Sequence, residues 1–173
     1  MNPQFALEAS VLLLVVLAAA QDVRTRTIPN RLLAAGLLLA LLLHLLSASP
    51  GPAVANAAAG AATGLALFLP LYLLRGMAAG DVKLLATVGA FVGPGGVCAI
   101  ALATCCFGGF MALAVTAARG QLSRLIANLH QMWLRLAGLG APPLAPAASV
   151  GGLPYGLAIA AGTLFEIGLR HLF

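Results

Sequence analysis

The sequence predicts an all-α membrane protein with about six transmembrane helices and one interfacial amphipathic helix, in a single domain over residues 1–173. Of its 173 residues, 62% are hydrophobic and only 8% are charged, whereas a soluble domain has about 25% charged residues. The hydrophobic residues form runs close to the length of about 20 residues that crosses a bilayer. Basic segments and uncharged turns alternate between these runs, as they do on the two sides of a membrane.

Six apolar runs are the predicted spans, and polar or turn-forming residues separate them. They cover approximately residues 5–20, 31–46, 54–74, 81–92, 97–118 and 150–168. The fourth run is short for a complete crossing. Pro29 suits the first turn of the second helix, Pro70 is expected to kink or loosen the third, and residues 93–96 are expected to form an uncharged outer turn.

Residues 119–136 predict an amphipathic helix rather than a span. Apolar side chains, including Trp133, recur there at helical spacing with polar and cationic side chains between them. This pattern is typical of a helix that lies in the membrane interface. The proline-rich residues 141–146 are expected to form a stiff linker before the last span.

Basic residues predict the orientation of the chain. Eight of the nine Lys and Arg residues occur in three segments, residues 24–31, 75–83 and 119–135, which fall on the same side of the six predicted spans, and Arg170 is the only one left on the other side. Because Lys and Arg prefer cytoplasmic loops, this side is predicted to be cytoplasmic and both termini to lie outside. The first run is expected to be a retained span, because its basic residues follow it. The net charge of +5 has the same explanation, so no nucleic-acid partner is expected.

The cysteines and histidines do not predict a metal site. Cys98, Cys105 and Cys106 lie in one apolar segment, without a C-x-x-C pair or the spacing of zinc ligands. His44 lies near the end of the second span, and no partner of metal-binding type is near it in the sequence. We expect an interfacial histidine there rather than a ligand.

Acidic residues are rare in this chain, and two of them fall at special positions. The four are Glu8, Asp22, Asp81 and Glu166. An acidic group at the centre of a span costs roughly 2.5–3.5 kcal/mol on insertion scales, so such groups are usually paired or functional. Glu166 has Arg170 four residues on, a spacing that allows an ion pair. Asp22 ends the first span and Asp81 begins the fourth, so we expect both just inside the cytoplasmic boundary.

Two carboxylates that meet at the edge of a low-dielectric medium cannot both ionise easily, so the pair is expected to hold one proton. One group can then deprotonate a water while the other protonates the carbonyl under attack, as in an aspartic protease. The spacing alone leaves other interpretations open. Asp22 could pair with Arg24 or Arg26, and Asp81 with Lys83, or the two acids could serve ion conduction or proton-coupled transport.

The residues around both aspartates resemble a known family. The segment D-V-R-T-R-T-I-P-N from Asp22 and the segment G-D-V-K-L-L from Gly80 are similar to the two signature segments of type IV prepilin peptidases, membrane aspartic proteases of the GxGD class. The segment L-P-Y-G-L-A-I-A-A-G at residues 153–162 resembles a third segment of the short members that serve Flp/Tad-type pili. The resemblance covers essentially the whole chain in order and in number of spans.

The resemblance implies an aspartic endopeptidase of the bacterial inner membrane. It would remove the short basic leader of a single-span prepilin at the cytoplasmic face, next to the lipid bilayer. Asp22 and Asp81 match the two catalytic aspartates of the family. The resemblance also implies no metal or other cofactor for cleavage. N-methylation is not expected, because the cysteine-bearing loop of the longer relatives is absent after the first span.

Four further residues are candidates for lining the site. Gly80 directly precedes Asp81. Lys83 is expected either to anchor at headgroups or to tune the proton affinity of the pair. Tyr155 lies at the cytoplasmic end of the last span, where an interfacial aromatic role competes with substrate contact. Asn30 is expected to cap the second span or to line the site.

Ala78 is the one departure from the Gly-x-Gly-Asp pattern of the family. If this position needs a positive φ, a Cβ costs roughly 1–2 kcal/mol, whereas alanine is tolerated if only close packing is needed.

The alternative functions are a small proton-coupled transporter and a non-catalytic scaffold of a pilus or secretion assembly. A transporter should carry polar groups across the midplane, and this sequence has almost none there. The sequence does not identify the pilin, the oligomeric state, or which aspartate is the base.

Overall fold

The structure is a computed structural model that describes residues 3–74, 76–120, 126–127, 130–131, 133–134, 137–138 and 154–172. They form α1 (Pro3–Thr25), α2 (Asn30–Leu45), α3 (Pro50–Leu73), α4 (Ala79–Ala118) and α5 (Tyr155–Leu172). No strand occurs in this part of the chain, so the all-α prediction is confirmed. Three of these helices, α1, α3 and α4, are long and apolar enough to cross a membrane.

The predicted count of six spans is matched only in part, because the fourth and fifth predicted spans fall within the single helix α4. Its helical course is broken at Gly93, where φ is 75° and ψ is 177°. Glycine adopts a positive φ without a Cβ penalty, and Pro94 suits the start of the next helical segment because it needs no N–H there. The predicted outer turn at residues 93–96 is therefore wrong in extent, since the break is confined to one residue.

The predicted amphipathic helix and linker lie largely outside the described residues. Within residues 119–136, the pairs 126–127, 130–131 and 133–134 are helical. Residues 141–146 and the predicted start of the sixth span at residue 150 lie outside the described part. The chain divides into two compact units, residues 1–108 with 154–173, and residues 109–153.

Helices α3 and α4 cross at their backbones through small residues. A Cβ built on Gly60 would overlap the carbonyl oxygen of Gly89, and one on Gly64 would lie 2.6 Å from the carbonyl oxygen of Leu85. Residue numbers rise on one helix as they fall on the other, so the two run antiparallel. Gly60 and Gly64 form a Gly-x-x-x-Gly pair, which lets helices pack closely where lipid supplies no hydrophobic drive to association.

Helix α1 packs against both α2 and α5. Its buried face contributes Val11, Val15 and Ala18 to the core. The core also contains fully buried side chains from the other helices of the unit: Leu84, Leu85, Val88, Val97, Ile100 and Ile159. Contacts at both ends of α1 and α5 show that they run antiparallel, since Gly156 bonds to Asp22 and His171 bonds to Glu8.

Polar groups at the end of the unit that includes Gly93 hold the helices together. His44 is 7% exposed, and its Nε2 lies 2.9 Å from the carbonyl oxygen of Ala90. In a helix this carbonyl would pair with the N–H four residues on, but that residue is Pro94, which has none. His44 therefore serves as a buried structural donor. The predicted ion pair of Glu166 and Arg170 is confirmed, with 3.1 Å between Oε1 and Nε.

Candidate active site

Three helix ends meet at the opposite end of this unit. Asp22 lies in the last turn of α1, Asp81 in the first turn of α4 and Gly156 in the first turn of α5. Helix α1 ends where Arg26 takes a left-handed conformation with a φ of 56°, a common way for a helix to stop. The Arg26 N–H still bonds to the Asp22 carbonyl at 2.9 Å. This sharp turn leaves Asp22 at the end of the first helix, as the sequence predicted.

The Asp22 side chain is 7% exposed and accepts a buried hydrogen bond from the backbone of α5. The Gly156 N–H donates to its Oδ2 over 2.8 Å, across 134 residues of sequence. Buried carboxylates need such partners, because an uncompensated charge in an apolar environment is costly. This hydrogen bond links the position of the Asp22 side chain to the N-terminal turn of α5.

The Asp81 side chain is 5% exposed, and it also accepts a hydrogen bond from backbone, the N–H of Ala78. Asp81 lies in the first turn of α4, where the unpaired N–H groups and the helix dipole favour an acidic residue. Asp22 lies near enough to act electrostatically on it. The fold thus brings the two aspartates together.

Lys83 and Asn30 contact each other rather than the aspartates. The Lys83 Nζ donates to the Asn30 Oδ1 at 3.1 Å on an exposed surface. The suggested ion pair between Lys83 and Asp81 is therefore not made. The capping role suggested for Asn30 is wrong as well, because Pro29 holds the N-cap position of α2 and Asn30 is its first helical residue.

Tyr155 and Gly80 lie beside the aspartates in different ways. A Cβ on Gly108 would lie 2.9 Å from Cε1 of Tyr155, so the ring packs directly on the backbone of α4. Tyr155 also interacts electrostatically with Asp81 and Cys105. A Cβ on Gly80 would meet Ile28 at 3.4 Å. This glycine therefore lies next to the apolar side chain of Ile28, with nearly ordinary space around it.

Ala78 is not strained. Within the described residues, Arg26 is the only non-glycine residue with a positive φ, so the backbone at position 78 suits alanine. The alanine in place of the family's glycine at position 78 therefore introduces no backbone strain. The group that residue 78 supplies to the site is its backbone N–H, which any residue except proline provides.

Gly156 is the contact that sequence reasoning missed. The segment at residues 153–162 predicts a place near the site, but its side-chain pattern points to Tyr155 and not to the Gly156 backbone. A glycine in the first turn of a helix, just after Pro154, was the available signal, since helix N-termini offer unpaired N–H groups to carboxylates. Among the described residues, no group of three or more His, Cys, Asp or Glu side chains is placed to hold a metal ion.

Comparison with known proteins gives one match. A family model described as the type IV leader peptidase family matches residues 9–113, more than half of the chain. This range contains both aspartates and ends before α5. No curated protein matches the chain, and no solved structure matches it.

Proposed function

The chain belongs to the type IV leader peptidase family, and on that premise we propose that it is an aspartic endopeptidase. Its proposed substrates are Flp/Tad-type prepilins with one span and a basic leader. One observation carries the proposal: the two aspartates of the chain, far apart in sequence, are both buried and interact at one end of the helical unit. A peptidase also accounts for the family match, which a transporter or a scaffold does not.

The chemistry proposed for this pair is general acid and base catalysis. Two buried carboxylates in electrostatic contact favour a state in which they share one proton. The ionised member takes a proton from water, and the protonated member donates to the carbonyl oxygen of the scissile peptide as the tetrahedral intermediate forms. Positioned groups of this kind contribute about 10²–10⁴-fold to rate. The two roles are not assigned to individual aspartates.

The proposed membrane arrangement follows from the length and the break of α4. At about 1.5 Å per residue, its 40 residues span about twice the roughly 30 Å thickness of a hydrocarbon core. The break at Gly93 allows two crossings, which with α1, α2, α3 and α5 give six. Arg24, Arg31 and Lys83 are close in the sequence to the two aspartates. We therefore propose that the end of the unit with the aspartates faces the cytoplasm at the bacterial inner membrane.

Co-expression with a Flp-type prepilin tests the proposal. Processing is followed by the gel shift that accompanies leader loss, for the wild type, Asp22→Asn and Asp81→Asn. We expect each substitution to lower the rate by at least about 10²-fold, because each removes one acid–base group. Glu8→Gln is the matched control, since it makes the same change at the opposite end of α1, where Glu8 bonds to His171.

The control should process prepilin within a few-fold of the wild-type rate. Either asparagine variant processing at the wild-type rate, when correctly inserted in the membrane, would show that the pair is not catalytic. A prepilin from another class of type IV pilus, assayed in parallel, tests the Flp/Tad specificity.

A further inference from the structure

The N-terminal turn of α5 lies directly against the Asp22 carboxylate. The Gly156 N–H donates to Asp22 Oδ2 at 2.8 Å, in a buried position. Gly156 is the second residue of α5, and the first N–H groups of a helix have no partner within it. This donor is therefore available to a carboxylate without the loss of a helical hydrogen bond.

The absence of a side chain at position 156 is what allows this approach. A Cβ there would lie 3.0 Å from both Cβ and Oδ2 of Asp22. Optimal contacts between carbon atoms are about 3.5–4.0 Å. Alanine would therefore displace the Asp22 side chain or α5 by roughly half an ångström and would lengthen the hydrogen bond.

The same turn is anchored on its other side by Tyr155. The Tyr155 ring packs on the backbone of Gly108, and Tyr155 interacts electrostatically with Asp81 and Cys105. The first turn of α5 is thus held between α1 and α4, the two helices that carry the aspartates. Its position is coupled to both carboxylates.

We propose that Gly156 is a positioning residue for the reaction, whose N–H holds the Asp22 carboxylate in one orientation beside Asp81. The catalytic part of this inference rests on the proposed peptidase function. Catalytic groups lose effect steeply when misplaced, with about 10²-fold lost for an error of 1 Å. Gly156 therefore influences the rate without touching the substrate.

A series of glycine-to-alanine variants within α5 tests the catalytic part. Gly156→Ala should lower kcat by about tenfold with KM changed less than about twofold, because the error is in the position of Asp22.

Two matched controls separate positioning from general destabilisation. Gly168→Ala places a Cβ with no atom within 4 Å, and Gly162→Ala places one 2.6 Å from Thr104 Oγ1, in a packed contact with α4. The first should behave as wild type. The second should lower thermal stability and leave kcat and KM within about twofold of the wild-type values. A loss of kcat in Gly162→Ala equal to that in Gly156→Ala would overturn the positioning role.

A spectroscopic measurement tests the hydrogen bond without any peptidase activity. The chain has only two aspartates, so ¹³C labelling of aspartate carboxyl carbons gives two signals in detergent micelles. We expect Gly156→Ala to change the chemical shift of one of the two signals and to leave the signal count unchanged. Conversely, Asp22→Ala should shift the Gly156 amide resonance upfield and increase its exchange rate, in a variant with an intact position 156.

The two measurements distinguish the failure of this inference from the failure of the proposed function. If neither the carboxyl signal nor the Gly156 amide responds to its partner's substitution, the hydrogen bond is absent and the inference is wrong. If both respond but wild-type protein fails to process prepilin, the contact exists and the peptidase proposal fails instead.

Discussion

The crossing of α3 and α4 gives a sharp test of the packing that supports the site. In Gly60→Ala, the new Cβ would overlap the Gly89 carbonyl oxygen and lie 2.8 Å from the Gly93 Cα. Ordinary contacts need about 3.5 Å or more, so the two backbones must move apart by roughly 1 Å. Gly95→Ala is the matched control, because it makes the same change on the partner helix α4, where the new Cβ meets nothing within 4 Å.

Two opposing contributions set the size of the effect. Overpacking of a tight contact typically costs about 1–3 kcal/mol, while replacing glycine by alanine within a helix gains up to about 1 kcal/mol. Gly60→Ala should therefore lower the free energy of unfolding by about 1–2 kcal/mol, whereas Gly95→Ala should be neutral or slightly stabilising. For a chain of this size, each 1 kcal/mol corresponds to about 2–4 °C in Tm, so we expect a decrease of about 2–8 °C.

Thermal unfolding of the purified variants in detergent micelles measures this difference directly. Asp81 lies eight residues before Gly89 on α4, about 12 Å along the helix axis, so prepilin processing should also slow in Gly60→Ala. If Gly60→Ala unfolds at or above the wild-type temperature, the helices do not approach at their backbones and the packing argument is refuted.

Two further substitutions test single contacts. Ala78→Gly should change prepilin processing by less than about twofold and lower Tm slightly, because Ala78 has no positive φ and glycine adds freedom to the unfolded chain; a large gain in processing would contradict this. His44→Leu should lower stability by about 1 kcal/mol in thermal unfolding, because the Ala90 carbonyl loses its donor. His44→Gln should recover part of the loss, and equal stability of the leucine variant would show that this hydrogen bond is unimportant.

The helices were largely predictable from local features of the sequence. Long apolar runs, basic segments and prolines predicted four of the helices to within a few residues at most ends, because helix formation and membrane insertion depend mainly on nearby residues. The α4 boundary was mispredicted since residues 93–96 combine three glycines with a proline, a composition typical of a turn. In the structure the break is confined to Gly93, and a Cβ there would lie 2.6 Å from the Asn56 amide nitrogen, a tertiary contact that local composition does not reveal.

The sequence by itself determined the class of protein and the pair of acids on which its proposed chemistry depends. Asp22 and Asp81 stand out because a chain so apolar tolerates few carboxylates, and their positions at the ends of two spans predicted a shared depth. Their catalytic roles stay a prediction. The tertiary structure decided what surrounds them: Lys83 bonds to Asn30, Ala78 is unstrained, and Gly156 donates to Asp22. The two hydrogen bonds join residues 53 and 134 positions apart in the sequence, and such pairings depend on how the helices pack, which no local pattern of residues specifies.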